Sequence, residues 1–282
     1  MIVIKELYSL TIIKIMREHF YKIALLAVFA LFLSSCIRQS KESQFVEESI
    51  SSSYIGQERK IGVYIPKGYS KKAVYPVIFV EDGRVFSTGN YQHILDSLID
   101  SDIIRPVIVA CSYENQENLP GSALSYRNVE YVEKIAERDN RHKEIFDNHM
   151  DYFVKEFIPY IESKYSVSHE RDERVFYGTS NSADFGITLS MRNPELLGEY
   201  WCFSPIFSDI GAYSFLKYPV SYKIAWGAKE EIEASFDYFP SLIQTIRKRG
   251  GKVDSFIYEG GHERPRWREQ FVKMIKQKFR TL

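Results

Sequence analysis

The chain is poor in cysteine, and its charges cancel. It has three cysteines among 282 residues, and 37 basic residues balance 37 acidic ones. A net charge of zero gives no electrostatic reason to expect a nucleic acid as a partner. The sequence has no Cys-x-x-Cys pair, no Gly-x-Gly-x-x-Gly and no Walker loop. It therefore lacks the usual motifs for binding zinc, dinucleotides and nucleotide phosphates.

The histidines do not indicate a metal site either. His142 and His149 are seven residues apart with no cysteine nearby, so we predict solvated or helix-surface histidines. Cys111 and Cys202 lie in apolar, strand-like segments, where we expect buried free thiols, with a disulfide of an exported protein as the alternative. We therefore expect neither a metal nor a cofactor.

The first 35 residues are typical of an export signal. Residues 20–35 form an apolar stretch that follows basic residues and ends in Leu-Ser-Ser directly before Cys36. This ending resembles a bacterial lipobox, which implies acylation of Cys36 and a lipid anchor at the periplasmic or surface face of a membrane. The alternative is an uncleaved transmembrane anchor, although a spanning helix needs about 20 apolar residues. Met16 begins a more typical signal than Met1.

Three segments are predicted along the chain: a signal peptide at 1–35, a flexible tether at 36–53 and a single domain at 54–282. The tether is polar and rich in Ser, Glu and Gln. The domain alternates short apolar runs with helical patterns, which predicts an α/β fold with a mostly parallel sheet covered by helices on both faces. In such sheets ligands bind at the carboxyl ends of the strands.

The pattern of apolar residues places the elements of this domain. Strands are predicted at 60–65, 75–80, 106–111, 175–177, 200–203, 222–226 and 253–258. Helices are predicted at 91–100, 148–164, 183–192, 239–249 and 267–279. Residues 111–141 are polar and irregular. Because they leave the end of an apolar strand, we expect them to lie over the site end of the sheet.

The most informative motif lies at residues 175–182, which read VFYGTSNS. A short apolar strand runs into Gly-x-Ser-x-small, and a segment that can be helical follows. This is the layout of a nucleophile elbow, a strained turn that exposes Ser180 above the end of a parallel strand. Small residues must flank the serine because the strand and helix nearly touch. Gly178 meets this need, and Ser182 stands where a second glycine is usual.

A serine nucleophile needs a base and an acid that orients the base. In α/β-hydrolases the chain order is serine, acid, histidine. His262 is the one histidine after Ser180, and it lies in a Gly-Gly-His turn between a strand and the last helix. The strand before that one ends near two carboxylates. We choose Glu230 as the acid, with Glu231 as the alternative and Asp237 as a more remote one.

Backbone amides supply the expected oxyanion hole. One is the amide of Asn181, and the other comes from the loop after the second apolar strand, at Gly83 or Arg84. The candidates for substrate contact lie in the long polar segment: Arg127, Glu130 and Tyr131. Solvated loop charge and a packing tyrosine are the alternative interpretation of these three.

In their order along the chain, several segments resemble the esterase family of α/β-hydrolases that includes enterochelin (ferric-siderophore) esterases and feruloyl or acetyl-xylan esterases. The matching segments are 75–83, 157–162, the elbow, 192–195, 203–205, 260–262 and Trp267. The resemblance covers roughly residues 56–280. It implies an α/β-hydrolase fold with Ser180 as nucleophile, His262 as base and a carboxylate at Glu230.

The resemblance has two departures. The family usually has Gly-x-Ser-x-Gly-Gly, whereas Ser182 and Ala183 replace the glycine pair here, and Asp184 would place an anion near the site. We expect a serine esterase that hydrolyses a carboxylic ester through an acyl-enzyme, on a siderophore-type or polysaccharide-linked substrate. The altered elbow motivates the alternative, a non-catalytic lipoprotein that binds a ligand or partner in the hydrolase pocket.

Overall fold

The computed structural model of the protein describes residues 42–230 and 235–281. The predicted signal peptide, Cys36 and Glu231 lie outside the described residues. Within the two described ranges, no helix is long and apolar enough to cross a membrane.

An eight-stranded sheet forms the centre of the described residues. Its strands are β1 (Gln44–Ser51), β2 (Glu58–Ile65), β3 (Val77–Val80), β4 (Ile108–Ser112), β5 (Arg174–Thr179), β6 (Glu199–Phe203), β7 (Ser221–Gly227) and β8 (Lys252–Tyr258). Their spatial order is β1-β2-β4-β3-β5-β6-β7-β8. Strand β2 is antiparallel to β1 and β4. The other strands, in the spatial order β4-β3-β5-β6-β7-β8, all run parallel to their neighbours. The predicted α/β-hydrolase fold, with its mostly parallel sheet, is confirmed.

Helices connect the strands. They are α1 (Gly83–Thr88), α2 (Tyr91–Asp100), α3 (Tyr126–Tyr131), α4 (Glu133–Ala136), α5 (Asn140–Tyr152), α6 (Ile158–Lys164), α7 (Asn181–Arg192), α8 (Ser235–Lys248) and α9 (Arg264–Lys278). A π-helical turn, Phe153–Phe157, joins α5 to α6. The prediction of helix α2 matches its observed bounds.

The central strands β3, β4, β5 and β6 are buried on both faces of the sheet, which explains why they read as apolar runs. In β3, Val77 and Phe79 pack into one hydrophobic cluster, while Ile78 and Val80 pack into the cluster on the other face. This alternation follows from the two-residue period of a strand. Helix α7 contributes to the first cluster, and helices α2 and α9 contribute to the second.

Within the predicted flexible tether at 36–53, strand β1 corrects the prediction for residues 44–51. Residues 44–51 pair in register with β2 along the sheet edge. Glu48 fixes this edge strand, because its carboxylate accepts hydrogen bonds from Tyr160 (2.9 Å) and Tyr165 (3.0 Å). An edge strand has a neighbour on one side only, and its outward residues are polar. Its composition therefore resembles that of a linker.

The polar segment at 111–141 is more ordered than its sequence pattern predicts, because it contains the short helices α3 and α4. Ser125 caps α3: its side chain accepts from the amide of Asn128, whose side chain accepts from the amide of Ser125. Such a reciprocal cap satisfies two backbone donors at a helix start. Helices of six and four residues are too short to produce a clear helical period in the sequence.

Candidate active site

The turn between β5 and α7 has the strained geometry of a nucleophile elbow. Ser180 has φ 56° and ψ −128°, a backbone conformation that costs energy for a residue with a side chain. Its amide donates to the carbonyl of Phe203 at 2.9 Å, which ties the turn to β6. A Cβ added at Gly178 would lie 2.4 Å from the carbonyl oxygen of Ser182, so only glycine fits there.

Ser182 reinforces this turn. Its buried hydroxyl accepts from the amide of Thr179 at 2.8 Å and donates to the carbonyl of the same residue at 2.8 Å. The side chain thus folds back onto the end of β5 and fills the position where the resembling family has glycine. The turn accommodates the Ser182 side chain because the backbones approach most closely at Gly178, where a Cβ would not fit.

The structure brings together the three residues predicted as nucleophile, base and acid. His262 Nε2 lies 2.9 Å from Ser180 Oγ, and His262 Nδ1 lies 3.2 Å from Glu230 Oε2. The imidazole packs edge-on against Trp267, with ring centres 4.7 Å apart. A proton on Nδ1 leaves Nε2 free to accept from the serine hydroxyl. Of the alternative acids, Glu231 is outside the described residues and Asp237 is exposed on α8.

Glu230 is held as a buried carboxylate. Its Oε1 accepts from the amide of Gly227 (2.7 Å) and from the hydroxyls of Ser204 (2.5 Å) and Tyr258 (3.0 Å). Burial alone would raise the pKa of Glu230, but the hydrogen bonds from His262, Ser204 and Gly227 outweigh it and lower that pKa. The carboxylate therefore stays charged and accepts from the imidazole.

Ser204 is a site residue to which sequence reasoning gave no role of its own. It has a left-handed backbone, with φ 53°, just beyond β6. Its hydroxyl donates to Glu230 and accepts from Trp267 Nε1 at 2.9 Å. The available signal was a serine directly after an apolar strand, at the same end of the sheet as the nucleophile.

The expected oxyanion donors lie at two helix starts. Asn181 is the first residue of α7, and Gly83 is the first residue of α1, so neither amide has a partner within its helix. Asp82 turns β3 into α1 with a left-handed backbone (φ 64°, ψ 47°). The amide of Arg84 faces Glu114 Oε2 at 3.4 Å, which leaves Gly83 as the better of the two predicted donors.

Of the three predicted substrate contacts, one faces the cavity beside Ser180. Arg127 lines this cavity and forms two hydrogen bonds with Asp82, at 2.5 and 2.6 Å. Glu130 and Tyr131 are buried and do not line it. This placement corrects the expectation for both residues. They pack in the interior because α3 turns their side chains away from the cavity and into a buried polar network.

That network lies behind the loop that carries Asp82. Glu130 is paired with Arg59, through oxygen–nitrogen distances of 2.6 and 3.0 Å. Tyr131 donates to Glu81 Oε2 at 2.7 Å, and His149 Nε2 lies 3.0 Å from Glu81 Oε1. Burial raises the pKa of Glu81 to about 8 and lowers that of His149 to about 4. At neutral pH the pair is therefore uncharged.

His149 corrects a further prediction. It is fully buried against α7 and α3 rather than solvated on a helix surface. Its burial follows from its position on α5, where it aligns with the apolar Phe146 and Met150, which are also buried. Among residues 42–230 and 235–281, no three His, Cys, Asp or Glu side chains are placed to hold a metal ion. Cys111 and Cys202 are buried free thiols, as predicted.

Asp184 does not place its charge at the nucleophile. Its carboxylate accepts from the amides of Ile206 (3.1 Å) and Phe207 (3.0 Å) and from the hydroxyl of Ser208 (2.5 Å). Burial raises the pKa of Asp184 to about 6 despite these donors. The residue holds the loop after β6, next to the elbow, and is a structural element of this end of the sheet.

A cavity of about 370 Å³ opens above Ser180 and His262. Its other lining residues are Asp82, Val85, Gln116, Arg127, Thr179, Arg264 and Trp267. The cavity lies at the carboxyl ends of β3 and β5, where an α/β sheet binds its ligands. The arrangement places the Ser180 hydroxyl and the His262 imidazole at one open space, and Gly83 and Asn181 directly follow two of its lining residues, Asp82 and Ser180.

The chain is similar in sequence and in fold to known esterases. The chain is 24% identical over 242 residues to an endo-1,4-beta-xylanase/feruloyl esterase of Xylanibacter ruminicola, covering 80% of this chain and 30% of the relative. The chain thus spans less than a third of that relative's length. Among solved structures, a ferulic acid esterase is similar with a TM-score of 0.65 at 16% identity, covering 86% of this chain and 99% of the other.

An enterochelin esterase from Shigella flexneri is similar with a TM-score of 0.64 at 12% identity, covering 83% of this chain and 57% of the other. At these identities the structural likeness shows a shared fold. The family match goes further, because the family described as "Putative esterase" matches residues 52–238, more than half of the chain. The chain belongs to this esterase family, and its membership supports the hydrolysis of carboxylic esters.

Proposed function

We propose that the protein is a serine carboxylic-ester hydrolase that works through an acyl-enzyme. The observation that carries the proposal is the continuous hydrogen-bonded series from Ser180 Oγ to His262 (2.9 Å) and from His262 to Glu230 (3.2 Å). Such a series activates a serine whose hydroxyl is otherwise a weak nucleophile. A protein that only bound a ligand would need none of these contacts.

In the acylation step, Ser180 Oγ attacks the carbonyl carbon of the ester while His262 Nε2 takes its proton. Glu230 stabilises the imidazolium that forms. The amides of Asn181 and Gly83 donate to the developing oxyanion. The bond between the acyl carbon and the alcohol oxygen then breaks, and this oxygen takes the proton from His262. The alcohol leaves, while the acyl group stays bound to Ser180.

Deacylation repeats these steps with water. His262 takes a proton from the water molecule, whose oxygen attacks the acyl carbon, and the same two amides donate to the second oxyanion. When the bond to Ser180 Oγ breaks, the serine recovers a proton from His262. The carboxylic acid leaves, and no cofactor enters the reaction. By analogy with the similar proteins, siderophore-type and polysaccharide-linked esters are the candidate substrates.

Replacing the nucleophile tests this mechanism. We expect Ser180→Ala to lower kcat/KM for small aryl esters by at least about 10⁴-fold, because the variant lacks the hydroxyl that attacks the ester. Far-ultraviolet circular dichroism should show an unchanged fold. A fluorophosphonate probe should label the wild-type protein and a Ser87→Ala control, but not the Ser180→Ala variant. An unlabelled wild-type protein would favour the ligand-binding alternative, and an unchanged rate in Ser180→Ala would overturn the mechanism.

The lipid anchor at Cys36 is a separate proposal, supported by the apolar stretch and the Leu-Ser-Ser before this cysteine. Cells fed a labelled fatty acid should incorporate the label into the wild-type protein but not into the Cys36→Ala variant. A wild-type protein that carries no label, yet partitions into the detergent phase of a Triton X-114 extract, would exclude acylation at this position and favour the transmembrane alternative.

A further inference from the structure

Strand β1 enters the sheet at the end opposite the catalytic cavity. Its first residue, Gln44, pairs with Ile65 at the end of β2. The neighbouring Tyr64 pairs with Val109 near the start of β4. Because β4 and its parallel neighbours point towards the end that carries Ser180, β1 begins at the other end. We call this the amino end of the sheet, since strands β3 to β8 all begin there.

The chain between the predicted anchor and β1 is short. Residues 37–43 separate Cys36 from the start of β1, and a chain of seven residues spans at most about 25 Å. Ser43 is already fixed to helix α2, because its hydroxyl donates to Asp96 at 2.8 Å and accepts from Gln92 at 3.1 Å. A lipid on Cys36, or a membrane-spanning helix that ended there, would therefore hold the amino end close to the membrane.

Exposed apolar side chains are concentrated at this amino end. In the described parts of the chain, six large apolar side chains are strongly exposed. Four of them lie in turns that lead into parallel strands: Val74 before β3, Ile103 before β4, and Phe215 and Tyr218 before β7. The other two are Phe207, after β6, and Ile257, on edge strand β8. Single exposed apolar residues are ordinary, but their concentration at one end indicates an interaction surface.

Basic side chains accompany these apolar residues. The turns at 67–74, 214–219 and 247–252 together contain eight lysines and arginines and no Asp or Glu. Their exposed lysines are Lys67, Lys71, Lys72, Lys217, Lys248 and Lys252. Exposed apolar side chains flanked by lysines are typical of protein surfaces that enter the interface of a bilayer, where the ammonium groups can reach the lipid phosphates.

The carboxylates of the amino end lie in the turns before β4, β5 and β6. Two of them are paired with basic side chains of the same end, Asp100 with Lys67 at 3.2 Å and Glu173 with Arg105 at 2.7 Å. The turns that carry Val74, Phe215 and Tyr218 therefore present apolar and basic groups without an acidic neighbour in the same turn.

The turn that carries Phe215 is held in place by its neighbours. The Phe215 ring lies so close to Gly250 that a Cβ added there would be 2.5 Å from its Cζ. The amide of Leu216 donates to the carbonyl of Arg249 at 2.7 Å. The guanidinium of Arg171 lies 5.4 Å from the ring centre of Tyr218. A protrusion that is already ordered loses little conformational freedom when it binds.

The catalytic end has a charged surface instead. Arg264 lines the catalytic cavity, and the exposed Glu117 and Glu263 directly follow two other lining residues, Gln116 and His262. Contact with lipid chains would remove water from these charges without replacing its hydrogen bonds. This end therefore suits an aqueous environment.

We propose that the amino-end surface, formed by the turns at 67–74, 101–105, 214–219 and 247–252, rests on the phospholipid membrane that anchors the protein. The inference rests on the proposed attachment near Cys36 and is independent of the serine mechanism. Strand β5 is six residues long, about 20 Å at 3.3 Å per residue, and it separates this surface from Ser180. The catalytic cavity thus opens away from the membrane, towards esters that arrive from the water.

Tryptophan fluorescence reports which end of the sheet touches the bilayer. The full-length protein, purified in detergent from the membranes of the producing cells, is reconstituted into vesicles of phosphatidylcholine and phosphatidylglycerol. Val74→Trp and Phe215→Trp each place an indole at the amino end. With lipids brominated near the headgroup end of an acyl chain, we expect the emission of each added indole to fall about twofold, because interfacial side chains lie about 5–10 Å into the headgroup and acyl boundary.

The matched control is Phe207→Trp, the same substitution as Phe215→Trp at an exposed phenylalanine of the catalytic end. Its added indole should keep its emission in the brominated vesicles. The wild-type protein supplies the background to subtract, because its tryptophans at 201, 226 and 267 are common to all variants. Far-ultraviolet circular dichroism should show the same fold in each protein.

The outcomes are distinct. Loss of emission from the two amino-end variants, with Phe207→Trp unchanged, supports the proposed orientation. An equal or greater loss from Phe207→Trp overturns the orientation and leaves the attachment intact. The same holds if all three variants float with the vesicles and none loses emission. Protein that does not float with the vesicles overturns the attachment and the orientation together, while fluorophosphonate labelling tests the serine mechanism separately.

Discussion

At the scale of single residues, Ser182 shows how a departure from the family pattern can be accommodated. Its hydroxyl forms two hydrogen bonds of 2.8 Å with the backbone of Thr179. Buried backbone groups are costly to leave without partners. Here the Ser182 hydroxyl forms hydrogen bonds with the amide and the carbonyl of Thr179 at the end of β5. A glycine at this position would have no side chain to form them. The exchange therefore changes how the elbow is held and keeps its shape.

Ser182→Ala tests this role. We expect the free energy of unfolding to fall by about 1–2 kcal/mol, because the amide and carbonyl of Thr179 each lose a partner. We also expect kcat to fall by about tenfold, because a looser turn misplaces the adjacent Ser180 relative to His262. Urea denaturation and steady-state kinetics with 4-nitrophenyl acetate measure the two effects.

The control for this prediction is Ser190→Ala on the same helix. Ser190 is also buried, and its hydroxyl donates to the carbonyl of Ile187 at 2.5 Å. This variant should lose a similar amount of stability without a change in kcat, because it lies away from the turn. If Ser182→Ala also kept its full kcat, the side chain would contribute to folding alone.

At the scale of elements, the turn between β3 and α1 depends on a contact from α3. Asp82 holds a left-handed backbone that is unfavourable for a residue with a Cβ. Arg127 binds its carboxylate through two hydrogen bonds, at 2.5 and 2.6 Å, with both side chains largely buried. A bidentate pair of this kind fixes orientation as well as distance. The geometry therefore makes Arg127 a positioning residue for the amide of Gly83.

Arg127→Met is expected to lower kcat by about 10- to 100-fold, somewhat less than removal of an oxyanion donor. The KM for a neutral ester should change little, because the loop and not the substrate loses its partner. A direct substrate contact would instead raise KM with kcat retained. Steady-state kinetics with 4-nitrophenyl acetate distinguish the two roles.

Arg266→Met provides the matched control, because Arg266 is paired with Glu269 on the surface of α9. It should leave both constants unchanged. A loss of kcat as large as that of Arg127→Met would mean that the general removal of positive charge matters. The positioning role of Arg127 would then fail.

At the scale of the whole molecule, the sequence predicted what depends on burial and order along the chain. Strands buried on both faces, such as β3, read as apolar runs. His262 was identifiable as the candidate base because it is the one histidine after Ser180. Edge strand β1 was not predicted because few of its residues are buried. Helix α3 was not predicted because six residues are too short to show a helical period. The network of Glu81 and His149 was equally hidden, since pairing between distant residues leaves no local pattern.

This buried network and the separate buried carboxyl of Asp184 give the whole molecule a pH-dependent stability. The pKa of Glu81 is raised to about 8 and that of Asp184 to about 6, while that of His149 is lowered to about 4. A raised carboxyl pKa stabilises the fold at low pH, and this stability is lost as pH rises to the folded value. The lowered pKa of His149 has the opposite effect below about pH 6.5. Between pH 6.5 and 8, Glu81 is therefore the dominant titrating group of this set.

We expect the wild-type protein to lose about 2 kcal/mol of unfolding free energy between pH 6.5 and pH 8, the linkage value for about 1.5 pH units. Glu81→Gln should remove this loss, because its amide stays neutral and can still accept from Tyr131 and donate to His149. Asp184→Asn should retain most of the loss, because a carboxyl with a pKa of about 6 is already largely ionised at pH 6.5. Urea denaturation of the three proteins at both pH values measures the slopes. A wild-type slope that persists in Glu81→Gln would show that the proton of the buried pair does not reside on Glu81.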